Sequence, residues 1–82
     1  MNPHLIHFEL RGAHITLDAL LKATGLAPSG GIAKMMIADA LVQVDGRPEL
    51  RKTCKIRAGQ TVVLGGTTVR VGAGSEPVVD AE

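Results

Sequence analysis

Between positions 47 and 57 the chain sets five cations in eleven residues: Arg47, Arg51, Lys52, Lys55 and Arg57. Glu49 is the single acid among them. A run of this kind can neutralise successive phosphates of a nucleic acid backbone. Its spacing is that of a loop, not the i, i+4 pairing of a salt-bridged helix. Upstream stands Ser29-Gly30-Gly31-Ile32-Ala33-Lys34. It reads as the capped start of a helix, where unpaired N–H groups and the helix dipole attract an anion. Without Cβ atoms at Gly30 and Gly31, a phosphate can come close to the backbone. Each feature also has a plainer reading. The cations can be a solvated face, and the glycines can relieve crowding between two helices. The candidate phosphate contacts are therefore Ser29, Gly30, Gly31, Lys34, Arg47, Arg51, Lys52, Lys55 and Arg57.

Other chemistry has weaker footing. His4, His7 and His14 with Cys54 match no usual zinc spacing. Cys54 is the only cysteine, so no intrachain disulfide can form. It reads as a small, partly buried residue, or as a thiol activated by the flanking cations. No carboxylate pair, nucleophile–base pair or nucleotide-binding glycine loop stands out. A non-enzymatic chain is expected, with no cofactor, no metal and no small-molecule substrate.

Composition narrows the ligand. Phe8 is the sole aromatic residue, and Trp and Tyr are absent. Proteins that hold single strands stack bases on aromatic rings, at roughly 1–3 kcal/mol per base. This chain lacks that platform, so any nucleic acid should be read through phosphates and shape, as duplex RNA is. The formal charge of +1 conceals a separation. All nine Lys and Arg lie between Arg11 and Arg70, against four acids, a net of +5 over that segment. Three of the remaining acids (Glu76, Asp80, Glu82) lie in the last few residues. No signal core and no membrane-length apolar run is present, and a soluble cytoplasmic protein is the default.

The elements that must position these residues follow from periodicity and punctuation. At 82 residues the chain suffices for one domain. Ile6, Phe8 and Leu10 alternate with His7 and Glu9, which predicts a half-buried strand with Phe8 as a core anchor. Leu17, Leu20, Leu21 and Thr24 form a helical stripe, with Thr16 as N-cap and Gly25 as stop. After Ala27-Pro28 a second helix is predicted from Gly30 to Ala40, with Ala33, Met36, Ile37 and Ala40 on one face. Leu41 to Val44 reads as a strand, and Asp45-Gly46 is a hairpin signal. Arg47 to Arg51 should return as its partner, with Pro48 marking an edge or bulge. Arg51 to Arg57 is a basic connection anchored by Ile56. Thr61 to Leu64 and Thr67 to Val71 should pair across Gly65-Gly66. Residues 1–3 read as a flexible start, 4–71 as the domain, and 72–82 as a flexible acidic tail.

From Thr16 to Val62 the chain resembles the RNA-binding domain of ribosomal small-subunit protein S-four, the alphaL motif. The resemblance rests on Leu17-Asp18-x-Leu20-Leu21, Gly25-Leu26-Ala27-x-Ser29 and Ala33-Lys34-x-x-Ile37. It continues in Val42-x-Val44-Asp45-Gly46 and Gly59-Gln60-Thr61-Val62. No single piece is very specific; the ordered set is. Ser29-Gly30-Gly31 and Arg51-Lys52…Cys54-Lys55-Ile56 are similar to a small stand-alone bacterial branch. Two positions depart from the pattern. Gly30 stands where an arginine is common, and Ala40 where a glycine commonly ends the helix.

The resemblance implies an α+β domain with two short packed helices against a mostly antiparallel sheet of about four to five short strands. It also implies a stand-alone protein that binds structured RNA, a stem or stem–loop such as ribosomal RNA, without catalysis; a monomer is expected. The alternative is a protein–protein interaction adaptor that presents the same basic face to an acidic partner.

Overall fold

The structure is a computed structural model and describes residues 4–73. Residues 1–3 and most of the expected acidic tail lie outside the described residues. Nine elements follow in order: β1 (His4–Glu9), β2 (Ile15–Thr16), α1 (Leu17–Ala23), α2 (Gly30–Ala38), β3 (Val42–Val44), β4 (Arg47–Pro48), β5 (Lys55–Ile56), β6 (Thr61–Leu64) and β7 (Thr67–Gly72). The architecture is the expected α+β one, with two packed helices and a five-stranded sheet ordered β1-β7-β6-β3-β4. Three of its four pairings are antiparallel, and β1 pairs with β7 in parallel.

Apolar alternation along the strands sets the register. Val44, Val62, Val69 and Ile6 lie opposite one another across four adjacent strands. Such rows give the helices a continuous apolar surface to cover. Leu17, Leu20 and Leu21 from α1, with Ala33 and Ile37 from α2, are buried with Val42, Val62 and Val69. Phe8 is only half-buried, because β1 forms one rim of the sheet and gives its ring neighbours on one side.

Local signals place most boundaries. The β3–β4 hairpin turns on Asp45 (φ 52°) and Gly46 (φ 85°), both positive as a two-residue hairpin turn of the mirror-image class requires. Helix α1 ends on Gly25 at φ 80°. Helix α2 ends two residues earlier than its apolar stripe implies. Ala40 sits at φ 61°, with its N–H on the Ile37 carbonyl and the Leu41 N–H on that of Met36. This is a left-handed helix stop occupied by alanine, so Ala40 is exposed and not part of the buried stripe. Strand β4 closes after Pro48, short of the expected Arg51: the Glu49 N–H still bonds the Val42 carbonyl, but the Arg51 N–H turns to the Glu49 carboxylate.

One pairing has no periodic signature in the chain. Ile15 and Thr16 pair with Ile56 and Lys55 as a second, two-stranded sheet. It binds the middle of the basic connection to the residues just ahead of α1.

Candidate nucleic-acid interface

The basic loop after β4 is tacked down by its backbone and leaves its side chains outside. The N–H of Cys54 donates to the Arg51 carbonyl at 3.2 Å, closing a turn. The first N–H groups of α1 then bond this loop: Leu17 donates to the Cys54 carbonyl at 2.8 Å and Asp18 to that of Lys52 at 3.1 Å. The start of α1 is therefore satisfied by main chain from a distant part of the sequence. Thr16, expected to cap this helix through its side chain, makes no such bond. Ile56, fully buried, anchors the loop's far end.

A second set of bonds holds the next turn. The Arg57 N–H donates to Gln60 Oε1 at 2.7 Å, and Gln60 Nε2 donates to Asp45 Oδ2 at 3.1 Å. Asp45 Oδ1 also accepts the Thr61 N–H at 3.0 Å. The Thr61 and Gln60 bonds hold the Asp45 carboxyl below its ordinary range. The hairpin tip is thereby tied to the backbone that carries Arg57.

The result is an open concavity of about 890 Å³ lined by Lys34, Arg51, Lys52, Thr53, Cys54, Lys55 and Arg57. Five of the nine sequence candidates meet there, Lys34 from α2 and the other four from the loop. Ser29, Gly30 and Gly31 do not line it but begin the helix that carries Lys34, one turn earlier on the same side. Arg47 lies on the edge strand β4, outside the lining.

The start of α2 is open. Ser29 Oγ accepts the Ile32 N–H at 3.2 Å, as a capping residue should. The amides of Gly30 and Gly31 have no acceptor among the described residues. Crowding does not account for these glycines. A methyl group at Gly30 would touch nothing within 4 Å, and one at Gly31 would meet only Ser29 Oγ, at 3.9 Å. Neither residue has a positive φ.

Two acids sit at the margin of the concavity, each beside a cation. Lys34 Nζ lies 3.9 Å from Asp18 Oδ2, with the lysine side chain 51% exposed and the aspartate 16%. Arg51 Nε lies 3.0 Å from Glu49 Oε2, with the arginine 77% exposed and the glutamate 18%. The carboxylates are recessed and the cations face solvent. Hydrogen bonds from the Arg51 side chain and amide lower the pKa of Glu49, and Glu49 in turn raises that of Arg51. Burial, with the Glu49 charge second, raises the pKa of the Cys54 thiol against the weaker pull of Arg51. Cys54 is the small, partly buried residue expected, and this direction of shift runs against the alternative of a thiol activated by its flanking cations. A pairing of Glu49 with Arg51 could have been proposed from their i, i+2 spacing in a non-helical segment. The recess that makes it geometric could not.

This architecture corresponds to a family of known proteins. The S4 domain family matches residues 8–72, and the chain belongs to it. It is 52% identical over 58 residues to YbcJ of Escherichia coli K12, covering 71% of this chain and 83% of that protein. It is equally similar to YbcJ of Shigella flexneri. The solution structure of the E. coli protein, described as revealing an alphaL motif involved in RNA-binding, superposes with a TM-score of 0.63 at 44% identity. That match covers 89% of this chain and 91% of that one. Among the described residues, no helix is long and apolar enough to cross a membrane.

Proposed function

We propose that this protein binds structured RNA, a stem or stem–loop, through phosphate and shape contacts and without catalysis. Ribosomal RNA is the first candidate, on family likeness. The observation that carries the reading is the convergence of Lys34 with Arg51, Lys52, Lys55 and Arg57 around one concavity. The backbone of the loop that presents four of these cations is bonded to the start of α1, so the points from which the side chains project are set before a ligand arrives. Ligand ordering then costs less, which favours affinity. The chain's poverty in aromatic rings argues against single strands, because bases would have nothing to stack on. Ser29 positions the open start of α2, where Gly30 and Gly31 offer amide donors to a phosphate. Arg47 is a peripheral contact for a longer duplex.

Two measurements test the proposal. With four to six phosphate contacts, log affinity for a hairpin RNA should fall against log salt with a slope between about −3 and −5. Charge reversal of Lys52 and Lys55 together should lower affinity by roughly 100-fold or more, as two phosphate contacts become repulsions. The thermal midpoint should stay unchanged, since both side chains are exposed. Unchanged retention on hairpin RNA would remove the loop from the site.

A further inference from the structure

Arg51 differs from the other loop cations in being held. Glu49 Oε2 accepts its Nε–H at 3.0 Å and its backbone N–H at 3.0 Å. Glu49 Oε1 lies 3.5 Å from Nη2. One carboxylate thus grips both ends of the residue, engaging the Nε–Nη2 edge of the guanidinium. The only other hydrogen bond of that group among the described residues is from Nη2 to Cys54 Sγ, at 3.8 Å. Nη1 has no acceptor among the described residues, so its two N–H groups remain for a ligand. The guanidinium is planar and carries donors on both edges, so it can bridge a carboxylate behind and a phosphate in front.

Relative exposure sets which anion meets it first. The Arg51 side chain is largely exposed while Glu49 is recessed, so a phosphate arriving from solvent reaches the guanidinium before the acid. Glu49 is also fixed from behind, its own N–H donating to the Val42 carbonyl at 3.0 Å. The Arg51 bonds also hold its carboxyl below the ordinary glutamate range. An arginine already held in one rotamer loses less freedom on capturing a phosphate than a free one.

We propose that Glu49, an acid inside a basic site, is a positioning residue that strengthens RNA binding by aiming the free Nη1 of Arg51 at a phosphate. This rests on the RNA reading above. It predicts the opposite of simple charge counting, in which removing an acid from a cationic face tightens RNA binding.

The test is a double-mutant cycle on the full chain, with a hairpin RNA in a filter-binding or mobility-shift titration. Glu49→Ala should weaken binding roughly three- to tenfold, the loss expected when one rotamer-rich side chain must be ordered by the ligand. In an Arg51→Ala background the same change should cause no further loss. The Arg51 Nε–H resonance should lose its exchange protection in Glu49→Ala. If that variant melts, Glu49→Gln keeps the shape and removes the charge, and it too should bind less tightly than wild type. Equal or tighter binding by a folded Glu49 variant overturns the proposal. So does an equal loss in the Arg51→Ala background, which would make Glu49 a loop scaffold. If wild type shows no salt-sensitive binding and Lys52/Lys55 reversal changes nothing, the RNA reading fails as well. Binding that responds to Lys52 and Lys55 but not to Glu49 sinks this proposal alone.

Discussion

Helix α1 begins beneath the chain's own carbonyls, and helix α2 begins in the open. At the first start, Leu17 and Asp18 donate to Cys54 and Lys52, so the positive end of the dipole serves the fold. At the second, Ser29 caps one amide and leaves those of Gly30 and Gly31 without protein acceptors among the described residues. The same local device is closed in one helix and open in the other. Spending the α1 start on main chain fixes the loop that carries Arg51, Lys52 and Lys55. The α2 start is left uncovered, one turn from Lys34. The helix ends differ too. α1 stops on Gly25, which tolerates its positive φ, whereas α2 stops on Ala40, which does not tolerate it well.

The contrast can be broken by mutation. Ser29→Ala should destabilise the domain by about 1 kcal/mol, the usual loss for a capping side chain, while Thr16→Ala should change stability far less. Urea midpoints compare the two, and equal losses would mean that the starts do not differ as described. Next in size, Ala40→Gly should stabilise by roughly 0.5–1 kcal/mol, because glycine adopts the left-handed stop without a Cβ clash. The same melts read it, and a loss would show that the stop is unstrained.

The smallest effect concerns acid. Asp45 and Glu49 are held below their ordinary values of 3.8 and 4.5. A carboxyl with a depressed folded-state pKa stabilises fully above its unfolded value and ceases to as pH falls through the folded one. Stability should therefore be level near neutrality and decline below about pH 4. Asp45 is exposed and Glu49 lies close under the surface, so solvent screening should keep the decline shallow. Asp45→Asn should flatten it further in thermal melts taken across acidic pH, and an unaltered profile would remove Asp45 from the account.

Much of this was readable from residue order. Asp45-Gly46 marked its hairpin, Ser29 its cap, Gly25 its helix end, and the leucine stripe of α1 its buried face. Each of these signals acts over a few neighbouring residues, within one turn of helix or one pleat of strand. The readings that needed correction or addition were long-range. Thr16 has the right residue type for a cap, yet Lys52 and Cys54, about forty residues on, take over that role. Ile15 and Lys55 belong to strands of two residues, too short for any period to show. Arg47 belongs to the basic run by sequence but sits on a sheet edge away from the concavity.

By itself the sequence determined a small α+β domain, the places where its helices and hairpins start and stop, and a strongly cationic middle. Steric limits on backbone angles and the burial of apolar stripes act locally, and residue order records them directly. Only the tertiary structure decided which cations share a surface, which helix start stays open, and that Glu49 sits behind Arg51 and not in front of it. Those outcomes depend on the packing of segments far apart in the chain, where direction and depth of burial are set by the whole core.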